Sequence, residues 1–532
     1  MGKNIGKRTQ ENNVFQDILD IGVSIYMLLL IVVMPLYFEE GYTHIGTDKA
    51  TFFRECSTKM WYLLIPIIAF GAGVNILVSK MSKTKVAVEK KKWKLPVSYW
   101  FTILFVFSLF ISYLFSDYKA DALWGANGWY MGLLPQLLFV GIYVLIATCW
   151  NGHKWIVAAI PVVSFGIFVL GYMNRFNVYP IDMKVVHTQF LSTIGNINWF
   201  CGYIVSVFFI GFYLFWQRQK WKIWQQILLG IYVYVGFAIL VAQGSLSGIF
   251  ALAVVLLVTF CMSVSNGQLM ENFFLEIVLF ALSCWTTWLL RLFWPKRFTL
   301  VDGVIDVLTN TQLATIMVVV FTLFFVGISW LNKKGKYPVK LMKIIGNVAI
   351  IGFVIGLGTV IVLIWFNTTH PEALGRLSNV SFFTFTDKWG SNRGATWKAA
   401  WMCFAEQDVL HKIVGVGPDA MSAFLHNQGS EALQSLVKQN FHAAQLTNAH
   451  NEWFTVLVDL GIIGAIGYIG MMVSAIVRFF KAGMEKPIVG ACGLSLLAFT
   501  ANNMFSFQQS MSMATIFVVF GIGEHYYRQM KK

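Results

Sequence analysis

Residues 344–366 read IIGNVAIIGFVIGLGTVIVLIWF, an unbroken apolar run without one charged side chain. As a helix rising 1.5 Å per residue it is about 35 Å long, enough to cross a hydrocarbon layer of about 30 Å. Residues 97–115, VSYWFTILFVFSLFISYLF, repeat the pattern. Working outward from these two, apolar runs bounded by polar breaks fall near 15–38, 58–78, 96–116, 131–149, 155–173, 199–216, 225–243, 248–265, 273–291, 313–331, 344–366, 452–477, 487–505 and 511–526. The expectation is an all-α, polytopic integral membrane protein of about 14 transmembrane helices, forming a single membrane domain over 1–532.

Composition agrees. Of 532 residues, 57% are hydrophobic and 12% charged, too few charges to cover a soluble surface of this size. The net charge of +15 sits in short blocks between apolar runs and lacks the clustered basic face of a nucleic-acid reader, so no nucleic-acid partner is expected. If the N-terminus is cytoplasmic, Lys80 to Lys94, Arg218 to Lys222, Lys333 to Lys343 and the C-terminal Arg528, Lys531 and Lys532 all fall inside. The positive-inside rule then places both termini in the cytoplasm. The seven cysteines lack metal-ligand or CxxC spacing and read as small core hydrophobes.

One connection differs from the rest. Residues 367–451 are polar and amphipathic over a length far beyond a turn, with helical stretches at Ala395 to Phe404 and Glu431 to Lys438, which predicts an ordered extracytoplasmic loop capping the bundle. It ends on Asn448-Ala449-His450-Asn451-Glu452-Trp453. A neutral imidazole there can take a proton near neutral pH; the alternative is that His450 and Asn451 only cap the next helix. Within the loop, Gly390-Ser391-Asn392-Arg393-Gly394 sets a planar, permanently charged donor fork at a helix start, suited to phosphate; a solvated loop arginine is the alternative. Arg376 is a second candidate anion contact. Gly195-Asn196-Ile197-Asn198 opens a span, where Asn196 and Asn198 would meet sugar hydroxyls or cap the helix. Gly415-Val416-Gly417-Pro418-Asp419 reads as a tight turn. No DxD, HExxH, GxSxG or P-loop is present, so metal-independent chemistry without a cofactor is the expectation.

In this order the motifs resemble the O-antigen ligase and polymerase superfamily: Gly195 to Phe200, the serine-bearing turn Ser245-Leu246-Ser247-Gly248, Asn392-Arg393-Gly394, Gly415 to Pro418, then His450-Asn451-Glu452. The resemblance runs from about Gly195 to Phe480. It implies a GT-C-like bacterial inner-membrane enzyme that moves a glycan from an undecaprenyl-pyrophosphate donor to a hydroxyl on a glycan, lipid or protein acceptor. In that frame His450 is the catalytic residue, Arg393 and Arg376 hold the pyrophosphate, and Asn451, Asn196, Asn198, Ser245 and Ser247 position substrate. Many members carry an arginine where this chain has Leu246 or Ser247, which leaves Arg291, Lys296 or Arg297 as substitutes to look for. The rival classes are a transporter or flippase of lipid-linked sugars, which predicts internal repeats and mid-span charges such as Glu276, and a structural scaffold. A protein O-oligosaccharyltransferase is the variant with a protein acceptor.

Overall fold

A computed structural model describes residues 2–81, 96–126, 129–299, 303–442 and 445–531. The basic stretch from Lys83 to Lys94 and the Asn127-Gly128 pair lie outside the described residues. Each of the fourteen apolar segments is helical. Among the described residues eleven helices are long and apolar enough to cross a membrane, from Val14–Leu36 to Glu452–Gly483, and Leu133–Cys149 and Pro487–Asn502 are shorter apolar helices. The fourteenth, Ser510–Lys531, has a polar C-terminal end with Glu524, His525 and Arg528. Among the described residues the strands are confined to a two-residue hairpin, Phe190–Leu191 against Gly195–Asn196, which turns the chain into helix Ile197–Trp216.

Helices Ile197–Trp216, Pro487–Asn502 and Ser510–Lys531 form the centre, and nearly all of their side chains are buried. Small residues permit this. A Cβ on Gly467 would sit 2.8 Å from the backbone of Phe105, so helices Val97–Phe115 and Glu452–Gly483 touch main chain to main chain. The helix containing 344–366, Val339–Thr369, is the opposite case. Only Met342, Gly346 and Asn367 along it are buried, while Val354, Ile361 and Trp365 stand exposed. An exposed apolar face of this length has lipid as its solvent.

Segment 367–442 is folded into short helices and turns. It forms the 3-10 turns Gly375–Asn379 and Ser381–Phe383 and helices Trp389–Glu406, Val409–Val414, Met421–Asn427 and Glu431–Phe441, with its own apolar core of Ala399, Cys403, Met421, Leu425 and Leu433. It docks on a break in helix Glu452–Gly483. Gly461 has φ 65° and ψ −169°, conformations open essentially to glycine alone, and the turn there frees the carbonyls of Val458 and Asp459. Val416 N (3.2 Å) and Gln407 Nε2 (3.1 Å) donate to Val458 O, while Gly417 N (3.0 Å) and Ser112 Oγ (2.6 Å) donate to Asp459 O. The Gly415 to Pro418 turn is therefore the joint between cap and bundle, and irregular backbone is tolerated here because protein donors satisfy the Val458 and Asp459 carbonyls.

Candidate active site

Asn451 is the N-cap of helix Glu452–Gly483: its Oδ1 accepts from Trp453 N (3.0 Å) and Phe454 N (3.2 Å). His450, immediately before it, has φ 49° and donates its backbone N–H to Asn448 Oδ1 at 3.0 Å. Left-handed backbone on a non-glycine residue persists only where its surroundings impose it. The capping is done by Asn451, so the imidazole is left over. It packs edge-on against the Phe507 ring, centroids 4.6 Å apart, and among the described residues neither ring nitrogen has a hydrogen-bond partner. Burial first, and the positive charge of Arg393 second, push its pKa down to about 4. The ring is thus neutral, an acceptor, near neutral pH.

Arg393 follows three consecutive left-handed residues, Gly390, Ser391 and Asn392, with φ of 58°, 61° and 69°. That turn folds back so that Nη1 donates to Gly390 O at 2.7 Å, while Nε donates to Phe505 O at 3.0 Å. Gly394 is required because a Cβ there would lie 1.9 Å from Thr386 O. Burial lowers the Arg393 pKa from its ordinary value and Cys201 partly opposes this, but a guanidinium starting so high stays charged. Nη2 is not used in either bond.

Beneath the arginine, Ser245 Oγ lies 3.0 Å from Asn198 Oδ1 and 2.7 Å from Ser247 Oγ. Ser247 Oγ is 3.6 Å from Cys201 Sγ, which reaches Asn502 Oδ1 at 3.3 Å, and Asn502 Nδ2 donates to Asn503 Oδ1 at 3.1 Å. Asn198, Ser245 and Ser247 are thereby one buried network with Cys201 at its middle. Asn196 has the capping role: its Oδ1 accepts from Asn198 N at 2.9 Å. Arg376 lies on the exposed turn Gly375–Asn379, and among the described residues no hydrogen bond or ion pair joins it to Arg393 or His450. Of the sought substitute arginines, Arg291 is committed to Asp306 (2.7 Å) and Thr309 (2.8 Å), and Lys296 and Arg297 are exposed. The arginine at the serine turn is Arg175, fully buried, whose Nη2 donates to Gln243 O at 2.6 Å and Nη1 to Thr188 O at 2.9 Å.

The sequence reading missed segment 503–509. Phe505 O holds Arg393 and the Phe507 ring faces His450; Asn503 O accepts from Glu452 N (3.0 Å), and Gln508 N donates to Glu452 Oε2 (2.8 Å). The available signal was the amide-rich run Asn502-Asn503 and Gln508-Gln509 between two apolar helices. Asp419 was also missed as an anchor. Its Oδ2 accepts from Ala126 N (2.8 Å) and Met131 N (3.1 Å), pinning the loop that carries Trp129, and burial pushes its pKa up to about 7. Among the described residues no group of three or more His, Cys, Asp or Glu could hold a metal ion.

The many apolar helices, with a helical cap over them, are those of a multi-pass membrane protein, and Arg393 and His450 meet on its segment 505–507. The family model described as O-Antigen ligase matches residues 297–469, which include Arg393 and His450. This match supports the O-antigen ligase and polymerase superfamily, and with it glycan transfer in O-antigen or polysaccharide biosynthesis by a membrane glycosyltransferase-like enzyme acting on lipid-linked glycans and acceptors. No curated protein matches the chain.

Proposed function

We propose that the protein transfers a glycan from an undecaprenyl-pyrophosphate donor to a hydroxyl acceptor, as a ligase or polymerase, at the outer face of the bacterial cytoplasmic membrane. In this reading both termini are cytoplasmic, fourteen helices cross in a GT-C-like arrangement, and segment 367–451 lies outside. The observation that carries it is the convergence of Arg393 and His450 on segment 505–507, close enough that the charge of one shifts the other. The acceptor oxygen attacks the anomeric carbon, the bond from that carbon to the phosphate oxygen breaks, and undecaprenyl pyrophosphate leaves with the electron pair. Arg393 stabilises the leaving charge and the acceptor's proton passes to His450, with no metal required. Arg376 is a secondary contact for the donor, and Asn451, Asn196, Asn198, Ser245 and Ser247 hold the floor on which the substrates rest.

The donor also primes the base. A pyrophosphate docked on Arg393 offsets the positive charge that depresses His450, so the imidazole becomes more basic once substrate is bound. The test is to incubate purified protein with a defined undecaprenyl-pyrophosphate glycan and candidate glycan, lipid and peptide acceptors. Glycan appearing on an acceptor with release of undecaprenyl pyrophosphate is the expected result. Movement of the intact lipid-linked donor across a vesicle membrane without transfer would establish a flippase instead.

A further inference from the structure

A cavity of about 260 Å³ opens beside the site, between the start of helix Ile45–Met81, the Phe190 hairpin, the start of helix Ile197–Trp216 and the end of segment 503–509. Its walls include four aromatic rings, Tyr42, Trp129, Phe190 and Trp199. They are held in place: Tyr42 and Phe190 lie 5.4 Å apart, Phe190 and Trp199 6.1 Å, and Trp199 and Trp129 5.9 Å. Gly46 leaves room for Trp199, since a Cβ there would be 2.6 Å from its ring. The aromatic series continues to the chemistry, with Trp129 5.2 Å from Phe507 and Phe507 4.6 Å from His450.

The cavity also carries polar groups that want a partner. Gln509 and Ser510 line it at 7% and 5% exposure, and among the described residues neither side chain has a hydrogen-bond partner. Lys49, 3% exposed, also lines it; its Nζ donates to Met34 O (2.7 Å) and Pro35 O (2.9 Å), which leaves one of its three N–H donors uncommitted. Among the described residues it has no ion-pair partner. An alkyl chain would satisfy the aromatic walls but strand the amide, the hydroxyl and the ammonium, each at the cost of an unmade buried hydrogen bond. A pyranose ring satisfies both sets, with its C–H faces against the aromatic rings and its hydroxyl rim toward the polar groups.

We propose that this cavity is a subsite for a pyranose ring of the glycan substrate, held against the wall that Trp129 and Trp199 form and hydrogen-bonded by Gln509, Ser510 and Lys49. The inference rests on the glycan-transfer reading for its meaning, but its test does not use turnover. The full-length protein in nanodiscs is mixed with methyl β-glucopyranoside or methyl α-galactopyranoside, and saturation-transfer NMR reads contact with the sugar ring protons. A saturation-transfer signal on the sugar ring protons is expected in wild type and equally in the turnover-deficient His450→Ala and Arg393→Ala, with a drop of about fivefold or more in Trp199→Ala and in Gln509→Leu, the milder variant that guards against misfolding of the first. Sugar signals in wild type no stronger than with empty nanodiscs, or undiminished in both cavity variants that still melt cooperatively, would overturn it. A protein that binds the sugar but transfers no glycan loses the reaction and keeps the subsite; an active one whose sugar signal ignores both variants loses only the subsite.

Discussion

At the residue level, the imidazole of His450 has been freed by its neighbour. Because Asn451 Oδ1 serves the first N–H groups of the helix, His450→Ala should leave the cap intact and cost little stability. The expected loss is in turnover, about 10² to 10⁴ for a general base, with donor binding nearly unchanged; a destabilised but fully active variant would refute the role. The pH dependence has a definite sign. Folding holds the imidazole below its ordinary value of about 6.5, so its contribution to stability is whole above that pH and declines as pH falls toward about 4. Since bound pyrophosphate offsets Arg393, the acid limb of kcat should lie at higher pH than the limb of kcat/KM, and Arg393→Ala should move the latter upward. Arg393→Lys keeps charge but not the fork that spans Phe505 O and Gly390 O, so turnover should fall well below wild type in protein that still melts cooperatively. In the sequence Arg393 stands out as a glycine-flanked cation at a helix start and His450 as an imidazole closing the long loop. Phe505 and Phe507 were not, since the one contributes a carbonyl and the other a ring face, and neither differs in sequence from the phenylalanines of the spans.

At the level of elements, hydropathy located the helices but not their joints. The span expected to begin at 58 begins at Ile45, because its first turns carry Asp48, Lys49, Arg54 and Glu55 at the cavity and the outer surface, which an apolar window skips. The break at Gly461 is invisible to such a window because Leu457, Val458, Leu460, Ile462 and Ile463 carry the average past Asp459 and the glycine. Gly461→Ala forces a Cβ to within 2.4 Å of Ile413 O and into a backbone region closed to alanine. It should cost about 1 to 3 kcal/mol or more, seen as a lower Tm, and loosen the cap, seen as faster hydrogen exchange at Val416 and Gly417. Asp419 offers a paired test. Asp419→Asn keeps an oxygen for Ala126 N and Met131 N and should be mild, whereas Asp419→Ala leaves both buried donors unmet and should release the Trp129 loop, with glycan transfer falling in step.

For the whole molecule, orientation is the most direct check. Cysteines placed at Ser391 and Lys438, both exposed on the cap, should react with a membrane-impermeant thiol reagent on intact cells, and one at Lys91, in the basic stretch, only after lysis. The reverse pattern would invert the topology and move the site to the wrong compartment. The site is also divided in a way that bears on any attempt to shorten or recombine this chain. The family match ends at 469, yet the carbonyl that holds Arg393, the ring against His450 and the backbone groups that hold Glu452 all come from 503–508, strung between two of the most deeply buried helices. The recognisable portion therefore supplies Arg393 and His450, while the strip that holds both in place is coded downstream of it. A chimera spliced just after 469 would import another protein's strip, and specificity should follow the origin of that short downstream stretch as much as the origin of the matched segment.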